Sequence, residues 1–191
     1  MINKLYLNGE NTAKLKDIFL ANERLPSIIM PNFIGKKDYA MLEMAAKKCR
    51  YKIEKEPMHF RYSASETPKS LAELLNSNAM KQLISKIINK KIKKIDGKLY
   101  CFGWKDYTLL NDEKIEKPGY DLILDFGKWD ESFGGMITYS DGMGNSDALK
   151  SRPDTLIIVK RKNRMQKFTK YVNNKSGKRK RLFFMGKIIT R

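Results

Sequence analysis

Hydrophobic positions recur at helical spacing in the first half of the chain and in short strand-like runs beyond Asp96-Gly97. Lys4–Leu7 reads as a strand-like start. After it, Leu15, Ile18 and Phe19 share one face of a short helix within 11–23, with Ala13 beside them. Ser27–Phe33 is strand-like as far as Pro31, and Gly35 to Asp38 opens a helix through Lys48 with Tyr39, Leu42, Ala45 and Ala46 turned to the core. Tyr51–Ser65 is extended and mixed in polarity. Pro68 then marks a helix start, with Leu71, Leu74 and Leu75 in its first half. Past Asn76–Asn78 the spacing of Leu83, Ile84, Ile87, Ile88 and Ile92 predicts a second amphipathic segment, its other faces carrying Lys81, Lys86, Lys90, Lys91, Lys93 and Lys94.

The second half predicts strands at Leu99–Trp104, Tyr107–Leu110, Asp121–Phe126, Gly135–Tyr139, Thr155–Val159, Gln166–Val172 and Arg181–Ile189. Asp121–Tyr139 reads as two strands flanking a turn with Trp129 and Gly134-Gly135, an antiparallel pairing signal. The stretch 141–152 has the Gly, Asn, Ser and Asp of a loop, and 173–180 reads as a hairpin with a strongly basic tip. Helices followed by many short strands give an α+β class with a sandwich or jelly-roll architecture, not alternating βα units. The expected organisation is an N-terminal extension, 1–26, and one domain, 27–191.

Charge changes this picture more than any motif does. The 191 residues carry a formal net charge of +18, more than solubility needs, so a polyanionic partner is the first expectation and a solvated lysine-rich surface the bland one. Cys49 and Cys101 stand far apart, which suggests neither a disulfide framework nor a zinc site and fits a reducing compartment. No apolar run has the length of a signal core or a membrane span, so the expected location is cytoplasmic.

Catalytic constellations are thin. Only one histidine is present, His59, in an extended apolar-flanked segment where packing is the simplest role. Ser63 and Ser65 have no nearby His–Asp partner, and Gly142-x-Gly144 lacks the strand–helix setting of a phosphate loop.

The order of features from about Ile29 to Ile189 does resemble a family. Helices, Tyr107–Glu113, a strand, Trp129 with Gly134-Gly135, a strand at Thr155–Val159, Gln166–Val172 and finally Arg181–Gly186 look like the double-stranded β-helix of the prolyl-hydroxylase-like, Fe(II)- and 2-oxoglutarate-dependent oxygenases. The resemblance implies an α+β fold with N-terminal supporting helices. It also implies an iron site of two histidines and one carboxylate, with positions left open on the metal. Aligned on Tyr107, those ligand positions hold Asn111, Glu113 and Lys167, and one histidine cannot supply two. An ammonium at a ligand position repels a divalent cation. The implied cofactor set is therefore none, with iron disfavoured and 2-oxoglutarate or another anion left as a ligand. Arg181 matches the family arginine that grips the far carboxylate of 2-oxoglutarate; its other reading is the solvated end of the basic run Lys178–Arg181.

The basic C-terminus is the strongest positive signal, since no acidic residue follows Asp154. The candidate nucleic-acid contacts are Lys160, Arg161, Lys162, Arg164, Lys170, Lys175, Lys178, Arg179 and Lys180. Phe168, Tyr171, Phe183 and Phe184 interleave with these cations, and strand alternation assigns most of them to packing. The sequence thus favours a non-catalytic, oxygenase-like domain that binds nucleic acid or a ribonucleoprotein. The alternatives are a protein hydroxylase with a non-standard metal site at Asn111, Asp112 or Glu113, and a protein–protein adaptor whose charge attracts an acidic partner.

Overall fold

Alternation along one strand, β6 (Gly119–Phe126), sets the layering of the molecule. Tyr120, Leu122, Leu124 and Phe126 join an apolar cluster on one side, while Asp121, Ile123 and Asp125 point to the other. In the computed structural model, which describes residues 1–21, 23–109 and 117–191, helices cover the first side and a small second sheet covers the other.

The elements run α1 (Gly9–Ala21), β1 (Ser27–Pro31), α2 (Lys36–Lys47), β2 (Lys52–Glu56), β3 (Phe60–Glu66), α3 (Lys69–Leu75), α4 (Asn78–Ile88), β4 (Ile92–Phe102) and β5 (Tyr107–Thr108). After β6 come β7 (Ile137–Ser140), β8 (Ser146–Leu149), β9 (Thr155–Arg161), β10 (Gln166–Thr169) and β11 (Arg181–Thr190). The large sheet has the order β1-β9-β6-β11-β4-β3-β2, with β5 paired to β3, and the small sheet the order β10-β7-β8. Every strand pairing among the described residues is antiparallel. The Thr169 amide donates to the Thr108 hydroxyl at 2.6 Å, tying β10 to β5 and so one sheet to the other. This is the double-stranded β-helix, with helices on the outer face of the large sheet.

Helix α4 shows how the sequence builds the outer layer. The Ser77 side chain accepts from the Met80 amide, and Met80, Leu83, Ile84, Ile87 and Ile88 are buried, each worth about 1.5–3 kcal/mol of transfer free energy. The helix stops at Ile88 because Asn89 turns left-handed, φ 54°. Ile92, whose spacing suits the helical stripe, instead begins β4. Asn76 fastens the start of that strand by accepting from the Ile95 amide and donating to the Ile95 carbonyl, both at 3.0 Å.

Several expectations are corrected. Lys4–Leu7 is a 3-10 turn whose Asn3 side chain accepts from Leu5, not a strand. The N-terminal extension packs on the domain: Ile2, Tyr6 and Phe19 lie in the helix-side core, and Ile2 bridges to Ile34. The 141–152 stretch contains β8, an edge strand that buries only Leu149 and so lacks a clear apolar alternation. Strands β6 and β7 lie in different sheets, so Asp121–Tyr139 is a crossover rather than a hairpin. The same holds for 173–180, which joins β10 to β11 across the sandwich through a 3-10 turn at Asn174–Ser176.

Asp154 fastens β1's exit to β9's entry, its side chain accepting from the Ile34 amide at 2.9 Å and its carbonyl from Phe33 at 3.0 Å. Burial pushes its carboxyl up to about 6, against the pull of the Ile34 amide and the chain's terminal amine. A carboxyl raised in the folded state binds its proton more tightly there than in the unfolded chain. The penalty is therefore complete above pH 6 and relieved as pH falls towards the unfolded value near 3.9. Asp154→Asn keeps an acceptor for Ile34 and suits the left-handed φ of 49°. Thermal unfolding is expected to show the variant more stable than wild type at pH 7–8, with the advantage gone at pH 4; an advantage constant across that range refutes the assignment.

Candidate functional site

Period-two alternation sends charged side chains into the space between the sheets. Asp121 and Asp125 come from β6, Arg161 from the end of β9, Arg181 from the start of β11 and Lys167 from β10. They form two ion-pair groups. Asp121 Oδ2 lies 2.9 Å from Arg161 Nε and 3.3 Å from Lys167 Nζ, and it accepts from the Tyr139 hydroxyl at 2.9 Å. Arg161 also donates to the Lys117 carbonyl at 2.5 Å.

Asp125 is held by Arg181 through a forked contact, Nη2 lying 3.0 Å from Oδ1 and 3.1 Å from Oδ2, with the Ser151 hydroxyl donating at 3.0 Å. Arg181 Nη1 donates to the Gly135 carbonyl at 2.5 Å, and the guanidinium sits 4.8 Å from the centre of the Phe183 ring. Burial pushes the Asp125 carboxyl up, and Arg181 and Ser151 pull it back down. Arg181 is only 1% exposed, so it is not the solvated end of the basic run. Its charge is met by a carboxylate from the chain itself.

Lys167 stands opposite Tyr139 in the β10–β7 register. It borders a cavity of about 410 Å³ between the sheets, walled by Tyr62, Tyr100, Phe102, Ile137 and Met185. The volume is within the usual range for small-molecule sites. Of the other positions matched to the oxygenase iron site, Asn111 and Glu113 lie outside the described residues, as does Asp112. His59 is half-buried in the β2–β3 turn, where its carbonyl accepts from the Leu109 amide at 2.8 Å. A centre of two histidines and one carboxylate does not fit this chain, which has one histidine. Among the described residues no group of three or more His, Cys, Asp or Glu is placed to hold a metal ion.

The predicted basic surface is largely where alternation and turns put it. Lys162, Arg164, Lys170, Lys175, Lys178, Arg179 and Lys180 are exposed on the β9–β10 loop and the β10–β11 crossover, and Lys160 is half-buried. Lys162 donates to the Glu23 carbonyl. Arg179 lies over the Phe133 ring, 5.1 Å from its centre. Arg161 is the exception: 4% exposed and paired with Asp121, it faces the interior and offers nothing to an outside anion. Phe183 and Phe184 are buried on opposite faces of β11 and Phe168 is half-buried, whereas Tyr171 is half-exposed.

Sequence reading missed the turn after β4. Trp104 is 50% exposed there, beside Lys105, whose ammonium lies 4.4 Å from the centre of its ring. The one available signal was the Gly103-Trp104-Lys105-Asp106 run, which interrupts two strand patterns with turn-like residues. Among the described residues no helix is long and apolar enough to cross a membrane.

No protein-family model matches the chain, and no curated protein matches it in sequence. Solved structures match in fold. A Pseudomonas putida prolyl-4-hydroxylase is 12% identical, with 94% of this chain and 99% of that one covered and a TM-score of 0.71. A prolyl hydroxylase from Trichoplax adhaerens, solved with a hypoxia inducible factor peptide fragment, is 10% identical over 95% and 91%, TM-score 0.70. A 2OG-Fe(II) oxygenase family oxidoreductase from Burkholderia pseudomallei is 10% identical over 94% and 91%, TM-score 0.67. At such identities the likeness is one of fold, and it extends over nearly the full length of each chain.

Proposed function

We propose that this chain, which carries the prolyl-hydroxylase-like double-stranded β-helix, is a non-catalytic binding domain for nucleic acid or a ribonucleoprotein. One observation carries the reading: the interior cations are matched by Asp121 and Asp125, while Arg164, Lys170, Lys175, Lys178, Arg179 and Lys180 are exposed on adjoining loops. Positive charge on exposed loops without acidic neighbours in sequence suits phosphate contacts. The interior charges are matched by carboxylates of the chain; the exterior ones lie at the surface, where a partner's backbone can reach them.

Binding is expected to weaken steeply with salt, log affinity falling by about 0.7–0.9 per phosphate neutralised for each decade of salt. Fluorescence anisotropy with RNA and DNA oligonucleotides across a salt series measures the slope. Reversing Lys178, Arg179 and Lys180 to Glu should weaken all sequences alike and flatten that slope by roughly two to three contacts. Salt-independent binding, or none to either polymer, removes the reading. A protein hydroxylase with a non-standard site at Asn111, Asp112 or Glu113 is the second reading, favoured by the near full-length fold likeness to prolyl hydroxylases. Stoichiometric iron in the purified protein together with succinate release from 2-oxoglutarate would establish it instead.

A further inference from the structure

Apart from the cations, the surface next to the β10–β11 crossover carries aromatic rings that the core does not use. Trp104 and Tyr171 are 50% and 51% exposed, and they come from segments far apart in sequence. Backbone hydrogen bonds bring those segments together: the Lys105 amide donates to the Val172 carbonyl at 3.0 Å, and the Val172 amide to the Asp106 carbonyl at 2.9 Å. The Tyr171 ring lies 6.3 Å from that of Tyr107, which follows the same turn. Asp106 stiffens the turn from inside. Its Oδ2 accepts from the Gly103 amide at 2.8 Å and its Oδ1 lies 3.7 Å from Arg61.

The cations are interleaved with these rings. Lys105, held at a left-handed φ of 71°, keeps its ammonium over Trp104. The Lys180 side chain lies over Gly103, the residue before Trp104, and Lys170 precedes Tyr171. Tryptophan and tyrosine left half in water on a firmly braced turn, among ammonium groups, form a surface suited to flat, electron-rich faces joined by anionic links. A duplex presents phosphates but seals its base faces in the stack; a single strand presents both.

We infer that Trp104, with Tyr107 and Tyr171, is a stacking platform for single-stranded nucleic acid, whose phosphates meet Lys105, Lys170 and Lys180. The inference rests on the nucleic-acid reading above and sharpens it to single strands. Stacking on one ring is worth roughly ten-fold or more in affinity, with wide spread between sites.

The test uses the whole chain with labelled oligothymidylate and oligouridylate, each against a duplex of matched length at fixed salt. Single strands are expected to bind more tightly than the duplex. Trp104→Ala should lose roughly ten-fold or more on the single strands while leaving duplex binding and thermal stability unchanged. Trp104→Phe should retain most of the affinity. It should also lose the ligand-induced quenching of tryptophan emission, because the remaining tryptophan, Trp129, is buried at 9% exposure. Tyr171→Ala provides a second, independent loss. Equal affinity for duplex and single strand, or equal losses on both in Trp104→Ala, overturns the platform and leaves the phosphate reading standing. Binding to neither polymer overturns both.

Discussion

Asp125→Ala is expected to cost about 3–5 kcal/mol of stability, the range for breaking a buried ion pair by removing one partner. The residue is fully buried, and its loss leaves the Arg181 guanidinium, 1% exposed, still donating to the Gly135 carbonyl but stripped of its carboxylate. Stranding a charge costs more than the pair itself contributes, because water cannot reach it. For a chain of this size a loss of that order lowers Tm by about 2–4 °C per kcal/mol, which denaturant or thermal unfolding resolves easily. The double variant Asp125→Leu with Arg181→Met removes both charges and should recover most of the loss. If Asp125→Ala unfolds at the wild-type denaturant concentration, Arg181 is not held as described. Added formate offers a finer check, since a small carboxylate entering the space left by Asp125 should raise the stability of Asp125→Ala and leave the wild type unchanged.

The fold was legible from residues whose physics is local. Leu83, Ile84, Ile87 and Ile88 announce a helix by spacing, and the apolar run Leu156–Val159 reads as a strand, which the structure buries on both faces. Arg181 was not legible from its neighbours. It ends a basic run, yet it begins β11, and counting by twos from Arg181 through Phe183 to Met185 puts it on the inner face, diagonal to Asp125, whose register partner is Phe183. Arg161 follows the same parity from Ile157 and Val159, with Asp121 on the adjoining strand. Both cases required the strand's first or last residue, where assignment from sequence is least secure. Strand pairing was the other gap. Two strands joined by a turn with Gly-Gly imitate a hairpin, and which sheet each joins is decided by contacts distant in sequence. Trp104 was silent for a different reason: a lone aromatic in a strand-rich stretch reads as core.

Gly134→Ala is expected to destabilise the protein by roughly 3 kcal/mol or more, through strain and steric overlap together. Gly134 has φ 78° and ψ −148°, a region essentially closed to other residues, and a Cβ there would stand 2.0 Å from the Tyr171 carbonyl oxygen. Neither problem is relieved by a side-chain rotation, because the clash is with backbone. The corner is fixed from several directions: Trp129 Nε1 donates to the Gly134 carbonyl at 2.8 Å, the Gly135 amide to Lys170 at 3.0 Å, and the Asn173 amide to Phe133 at 2.9 Å. Gly144→Ala is the matching control, with a positive φ of 92° but nothing within 4 Å of the added carbon, so only the conformational cost of about 1–2 kcal/mol remains. Comparable losses in the two variants would show that close approach to Tyr171 is not what Gly134 serves. The corner also decides where Tyr171 sits. To whatever extent Gly134→Ala remains folded, it should displace Tyr171 and weaken single-strand binding, a loss that Gly144→Ala should not share. Unfolding curves and oligouridylate titrations on both proteins separate the two effects.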